Sequence, residues 1–299
     1  MNKGVVSVLV AYLIWGLYPF YFHAMQHVAP TEIVIHRVLW TFALLAVYLF
    51  CSRRWRWIQK AITDRRTVAV FLMSLVLITA NWSTYTYAIV TNQTLEASLG
   101  YFMNPLVSVL LGTVFLKEKL NKAQMLAIVF ACAGVMWVTF KQGEFPALGL
   151  TLALSFGFYG LVRKMAPLGS LEGLTLETAF AFPVALLATF YFAGNGDLTF
   201  VHGTSWDKFW LIMAGPITTI PLILFAYGLK QVPYSTVGFI QYLSPTMVFF
   251  IGLFFFGEEL QVDRLIGFIL IWTGVLIFVG ENFFRSHSGY RTEFNQLSK

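Results

Sequence analysis

Apolar stretches long enough to cross a bilayer recur from one end of this chain to the other, separated only by short polar breaks. They cover residues 5–23, 31–51, 67–90, 96–116, 123–140, 147–164, 173–193, 208–229, 235–256 and 265–284, close to the ~20 residues a helix needs to span hydrocarbon. No stretch shows the polar/apolar alternation of a transmembrane strand, so the expected class is helical. Only 11% of the 299 residues are charged and 58% are hydrophobic, too few charges to cover a water-facing surface. So little sequence lies between the spans that a separate soluble catalytic domain has no room. The function is expected inside the bundle.

Lysine and arginine positions give an expected orientation. With the N-terminus inside, Lys3, Arg53, Arg54, Arg56, Lys60, Arg65 and Arg66 fall on the cytoplasmic side. Lys117, Lys119, Lys122, Arg163, Lys164, Lys230, Arg285, Arg291 and Lys299 join them, which makes sixteen of the 20 cations. Lys141, Lys208 and Arg264 fall outside, and Arg37 lies within the second span. This follows the positive-inside rule, with both termini cytoplasmic. The net charge of +6 is therefore read as topology, and no nucleic-acid partner is expected. The basic loop 52–66, with Trp55 and Trp57, suits a topology anchor with an interfacial aromatic belt, or a contact for anionic lipid headgroups. No small-residue cleavage site follows the first apolar run, which is read as a retained helix. Cys51 and Cys132 fall in different spans and form no metal-ligand spacing.

Sliding the sequence by 140 residues aligns its halves. Pro105 falls on Pro245, Gly112 on Gly252, Phe115 on Phe255, Glu118 on Glu258 and Gly134 on Gly274. Near the start the offset is 141, pairing Gly16 with Gly157 and Tyr18 with Tyr159. The expected organisation is a first five-helix repeat at 1–141, a second at 142–284 and a cytoplasmic tail at 285–299. Five spans is an odd number, so the second repeat must insert upside down. Inverted halves can rock about a site near the midplane, the layout of many secondary transporters.

Candidate site residues are polar or aromatic groups at membrane depth. Trp15, Tyr18, Asn81, Trp82, Tyr85, Tyr101, Asn104, Tyr159, Gln241 and Ser244 form the substrate-binding set, because rings with a few amides suit an amphipathic solute. Ordinary helix–helix hydrogen bonding is the alternative, at ~0.6 kcal/mol per contact. Asn104–Pro105 and Ser244–Pro245 occupy matching places in two spans, where the helices are expected to bend beside a cavity. Ionisable groups within spans are rarer. Glu32, His36, Arg37 and Glu177 are read as a charge- or proton-coupling site, or else as an ion-pair network locking the halves. Glu96 is expected to cap the fourth span, and Glu118 and Glu258 to fix equivalent turns. Arg163 and Lys164 are expected to snorkel to the interface, or to meet an anionic solute. Small residues such as Ala127 and Ala131 suit a dimer face or internal packing. No phosphate-binding loop, zinc motif or serine nucleophile elbow occurs, so no metal, cofactor or enzyme chemistry is expected, and energy must come from a gradient.

The segments AYLIWG at 11–16, EIVIHRVLW at 32–40 and LEASLGYFMNPLVSVLLG at 95–112 resemble one known family. FGFYGLVRK at 156–164, TTIPL at 218–222 and GFIQYLSPT at 238–246 extend the likeness across both halves. The chain resembles the EamA-type permeases of the RarD group, within the drug/metabolite transporter superfamily. The resemblance implies a bacterial inner-membrane permease of ten helices, two inverted five-helix repeats around a central cavity. It draws attention to Glu32, His36, Arg37, Asn81, Trp82, Glu96, Tyr101, Asn104, Tyr159, Arg163, Glu177 and Gln241. Relatives in the superfamily export amino acids, metabolites or drugs. The expected function is a gradient-driven permease exporting small amphipathic metabolites or drugs by alternating access, as a monomer or homodimer, with protons a candidate coupling ion. A lipid or lipid-linked carrier translocase is the rival reading.

Overall fold

In lipid every backbone N–H and C=O must find a partner within the chain, so each apolar stretch becomes helix. The computed structural model describes residues 2–53, 55–90, 94–142, 147–257 and 262–297, and their side chains except at 86, 89–90, 94–99, 142 and 282–297. Arg54, Glu96, Glu258, Arg285, Arg291 and Lys299, named above, carry side chains outside the described residues. The helices run α1 (Lys3–Gly16), α2 (Tyr18–Ala24), α3 (Pro30–Ser52), α4 (Arg56–Thr63), α5 (Arg65–Val90), α6 (Thr94–Phe115) and α7 (Lys122–Gln142). They continue as α8 (Ala147–Met165), α9 (Ser170–Gly194), α10 (Thr199–His202), α11 (Ser205–Leu229), α12 (Tyr234–Gln241), α13 (Leu243–Phe255) and α14 (Val262–Leu297). Among the described residues, eight helical stretches are long and apolar enough to cross a membrane, α1–α2 and α12–α13 each counting as one. A shorter apolar stretch, Gly100–Phe115, belongs to α6.

Two of these stretches are kinked. α1 gives way to α2 at Leu17, just before Pro19, and α12 gives way to α13 at Tyr242, just before Pro245. Proline removes a backbone donor and crowds the preceding turn, so a break nearby is its ordinary effect. The expected bend at Ser244–Pro245 is present. At the matching Asn104–Pro105, α6 runs through the proline without a break in the helix. The basic loop at 52–66 also differs from its sequence reading, because 56–63 folds as α4. There Trp57 and Ala61 pack against Phe71, while Trp55 stays exposed. Asp64 then starts α5, accepting from Thr67 Oγ1, Thr67 N and Arg66 N. Those bonds, the Thr67 hydroxyl first, hold its carboxyl below the usual carboxylate value.

The main packing pairs are α7 on α14, α6 on α8 and α12, α1 on α11, α3 on α9 and α11, and α5 on α8. Close crossings use small residues, as expected where lipid supplies no hydrophobic drive between helices. A Cβ on Gly274 of α14 would lie 2.5 Å from the Ala127 carbonyl of α7. Ala127 and Ala131 are fully buried in this contact, which assigns them to internal packing.

One end of the bundle is basic, carrying Lys3, Lys119, Lys122, Lys164 and Lys230. Two lysines there tie α8 and the turn after it to the end of α11, within the second half. Lys164 Nζ donates to the Leu229 and Val232 carbonyls at 2.6 Å each, covering the end of α11. Lys230 Nζ donates to the carbonyls of Ala166 and Leu168. Cations at helix C-termini meet the negative end of the dipole. Glu118 does cross from the first half to the second: its carboxylate accepts from Tyr234 N at 2.5 Å and Ser235 N at 2.8 Å, capping α12. Sequence alone suggested that Glu118 fixes its own turn; the bonds it makes are to the other half.

Candidate functional site

Between α3, α5, α8, α9 and α11 lies a central cavity of about 20 Å³, room for about one water molecule. Its apolar wall is Val38, Leu75, Ile78, Leu174, Ala181 and Leu222. Its chemistry comes from Arg37, Trp82 and Thr218 at one level and from Tyr159, Glu177 and Thr178 at another. α3 and α9 run antiparallel, with Phe42 against Phe182 and Ile35 near Ala185. That register sets Arg37 and Glu177 roughly 14 Å apart along the helix axes.

Arg37 is held from two sides. Its Nε donates to Thr218 Oγ1 at 2.9 Å, and its guanidinium carbon lies 4.3 Å from the Trp82 ring centroid. Among the described residues it has no carboxylate partner. A guanidinium stacked on an aromatic face keeps its charge, and its remaining N–H groups stay available for a planar acceptor. Tyr18, Tyr85 and Tyr101 lie within its electrostatic reach. Their rings form a chain: Tyr18 to Phe22 at 5.9 Å, Phe22 to Tyr85 at 6.1 Å, Tyr85 to Tyr101 at 6.1 Å. Tyr101 is 48% exposed, so this aromatic chain reaches from Arg37 to an open surface. Tyr18 is anchored by donating to the Ile217 carbonyl at 2.8 Å, next to the Thr218 that holds Arg37.

Glu177 is 3% exposed and fully engaged. Ser74 Oγ donates to Oε1 at 2.5 Å, Tyr159 OH donates to Oε2 at 3.4 Å, and Arg163 Nη1 stands 3.5 Å from Oε1. Arg163 also donates from Nη2 to the Ser170 carbonyl at 3.0 Å and lies over the Phe71 ring. Its burial corrects the expectation that it snorkels: Arg163 is 2% exposed and turned inward. Gly173 makes this possible, because a Cβ there would lie 1.9 Å from Arg163 Nη1. Arg163 stands near the end of α8 and Glu177 two turns into α9, so their spacing in the sequence carried no signal of the pair.

The four residues read as one coupling site do not gather. Glu32 lies at the end opposite the basic one, where its carboxylate accepts from Thr199 N at 3.0 Å and Phe200 N at 2.8 Å. His36 is buried beside it, accepting on Nδ1 from Trp40 Nε1 at 2.9 Å, with Nε2 3.9 Å from Glu32. Only Arg37 and Glu177 line the cavity. Of the ten substrate-binding candidates, Trp82 and Tyr159 line it. Trp15 backs it through Phe156, whose ring meets both Trp15 and Tyr159 at 5.9 Å. Asn81 is turned to α8, donating to the Leu152 carbonyl at 3.0 Å and Ser155 Oγ at 3.1 Å.

Asn104 and Gln241 lie on the other seam, where α6 meets α12, and Ser244 lies in the first turn of α13, the helix that packs on α1. Gln241 Oε1 accepts from Ser108 Oγ at 3.0 Å, and Tyr234 OH donates to the Gly157 carbonyl at 2.6 Å. Asn104 Oδ1 and Gln241 Nε2 are buried without a hydrogen-bond partner among the described residues. Residues the sequence reading did not single out for the site are Ser74, Thr178, Tyr234 and Leu222; hydroxyls and leucines in apolar spans carry no distinguishing pattern.

With this geometry in hand, the sequence profile of the EamA-like transporter family matches residues 2–140 and 146–280. The protein RarD of Escherichia coli is 37% identical over 278 residues, covering 93% of this chain and 94% of its own. The uncharacterized transporter YojE of Bacillus subtilis is 39% identical over 282 residues, covering 93% of both chains. A solved crystal structure superposes with a TM-score of 0.67 at 14% identity, over 92% of this chain and 98% of that one, a likeness of fold.

Proposed function

The chain belongs to the EamA-like transporter family, and we propose that it works as a gradient-driven permease exporting small amphipathic solutes across the bacterial inner membrane. It is a multi-pass membrane transporter of the RarD type, not an enzyme. The observation that carries the proposal is the central cavity between the halves, with Arg37 at one level and the Glu177–Arg163 pair at another. In this reading ten spans form two inverted repeats, 1–141 and 142–284, with both termini and the basic end cytoplasmic. The packing supports it. Exchanging the halves turns the α1–α11 contact into α8–α5 and the α6–α8 contact into α12–α13 against α1, and each of these exists.

Alternating access needs contacts between the halves at both ends that can be exchanged. At the basic end Glu118 accepts from the N–H groups of Tyr234 and Ser235, and at the opposite end Glu32 accepts from those of Thr199 and Phe200. The aromatic chain ends at half-exposed Tyr101. The solute would rest its apolar body on Trp82, Tyr85 and Tyr101 and set an acceptor group on Arg37, with Trp15, Tyr18 and Tyr159 shaping the chamber. Asn81, Asn104, Gln241 and Ser244 would act on the seams that must slide. Glu177 is the candidate for proton coupling, since it is buried and one of its partners, Ser74, belongs to the other half and would part from it in a rocking motion. Glu32 and His36 would keep the far end in register.

Flux in proteoliposomes across a panel of amino acids and drugs, with and without a pH gradient, tests the proposal. Folded protein that moves none of them would sink it. In the same assay Glu177→Gln should change the rate and its pH dependence; an unaltered profile removes Glu177 from coupling.

A further inference from the structure

α6 and α7 follow each other in the chain, yet α6 packs mainly on α8 and α12 while α7 packs on α14. Between them a groove of about 540 Å³ stays open. Val107 and Val109 lie deep in it, Leu106 and Cys132 close one end, and Leu110 and Met125 form its rim. The rim residues are 59% and 54% exposed, so the groove opens sideways, toward lipid. It runs along α6 from Leu106 to Thr113, ~10 Å of helix rise, and ends beside Glu118 at the basic end.

The matching seam in the second half is filled. At an offset of 140, Val109, Leu110, Ile128 and Cys132 correspond to Phe249, Phe250, Phe268 and Trp272. There Phe249 meets Phe268 at 4.2 Å, and Phe250 stacks on Trp272 at 5.5 Å. Four rings occupy what four smaller side chains leave empty. A void of that size facing hydrocarbon does not stay empty, because its lining would forfeit dispersion contacts that lipid can supply.

The charge at the groove's mouth selects the lipid. Lys117, Lys119 and Lys122 are exposed around it. Glu118, the one nearby carboxylate among the described residues lining the groove, is already committed to the N–H groups of Tyr234 and Ser235. Glu281 accepts from Asn121 Nδ2 at 2.8 Å in the same turn, and among the described residues none of the three lysines has an ion-pair partner. We propose that the α6–α7 groove is a binding site for an anionic phospholipid, one acyl chain lying along Val107, Leu110 and Ile128 and the phosphate meeting Lys119 and Lys122. The site is separate from the central cavity and does not rest on the permease reading.

The test uses full-length protein in detergent, with native mass spectrometry and thermal unfolding on titration with phosphatidylglycerol or phosphatidylcholine. The wild-type chain should retain phosphatidylglycerol and unfold at higher temperature with it than with phosphatidylcholine. Leu110→Phe with Ile128→Phe and Cys132→Trp, which imports the rings of the other seam, should lose the retained lipid. If that triple variant does not elute as a single folded species, Ile128→Phe alone serves and should weaken retention. Lys119→Gln with Lys122→Gln should keep an acyl occupant while losing about fivefold in headgroup preference per lysine. Equal retention by the filled variant, or an unchanged preference in the lysine variant, would overturn the proposal. So would filling that converts a dimer into a monomer, which assigns the groove to a second copy of the chain.

Discussion

Arg37 and Arg163 are both arginines inside membrane-spanning helices, one in each half, and they are treated in opposite ways. Arg163 is 2% exposed, faces Glu177 and donates to the Ser170 carbonyl. Arg37 has a threonine and an indole ring but no carboxylate among the described residues. A charge at the bilayer centre costs ~2.5–3.5 kcal/mol on insertion scales, so each must be stabilised somehow. Arg163 is stabilised by a fixed counter-charge, and its local net charge is near zero. Arg37 keeps its charge uncancelled beside a cavity. The contrast separates a bolt between helices from a group with binding capacity left over.

The strongest way to break this comparison is to remove Arg163. Arg163→Met leaves Glu177 buried and unpaired and should cost ~3–5 kcal/mol, read as thermal unfolding in detergent. Adding Glu177→Leu should recover most of that loss, because a packed apolar pair can replace a buried ion pair. Arg37→Met should leave the unfolding temperature close to that of the wild type. Equal destabilisation by the two arginine variants would erase the distinction.

Transport should show the reverse order. Arg37→Met should lower flux of an anionic solute by about ten- to hundredfold, the worth of a charge-assisted hydrogen bond at ~1.5–3 kcal/mol. Arg37→Lys should recover only part of it, since an ammonium cannot present the planar fork. A neutral solute of the same shape should respond less. Indifference to the charge of the solute would reduce Arg37 to a packing element.

Smaller effects sharpen the picture. Gly173→Ala would press a methyl against Arg163 and Phe71 and should destabilise by ~1–3 kcal/mol, provided the pair sits as described. The loss should shrink when Arg163→Met is already present, a coupling that a double-mutant cycle reads. Trp82→Leu removes the ring beneath Arg37 and should weaken solute binding by ~0.5–2 kcal/mol, with Trp82→Phe intermediate. Identical behaviour of the leucine and phenylalanine variants would show that the ring's face contributes nothing.

Much of the architecture was legible in the sequence, and the reason is that lipid imposes a one-dimensional rule. An apolar stretch of bilayer length must be helix, so the positions of the spans agree closely with α1–α14. The misreadings concern partners. Glu118 looked like a turn residue and instead caps a helix in the other half. Arg163 looked like an interfacial cation and instead turns inward to Glu177. Glu32, His36 and Arg37 looked contiguous, yet Glu32 serves the start of α10 while Arg37 points to the cavity. Residues 32, 36 and 37 are neighbours in sequence, but successive residues on a helix lie about 100° apart around its axis.

The sequence by itself determined that this protein is a helical membrane transporter, where its helices run and which end is basic. Hydropathy and charge act residue by residue against the bilayer, so they can be read from the chain alone. Only the tertiary structure decided which carboxylate answers which arginine, which cation stays uncancelled and which of two matching seams is left open. Those outcomes depend on how each helix is rotated against its neighbours. That rotation is set by the packing of side chains far apart in sequence.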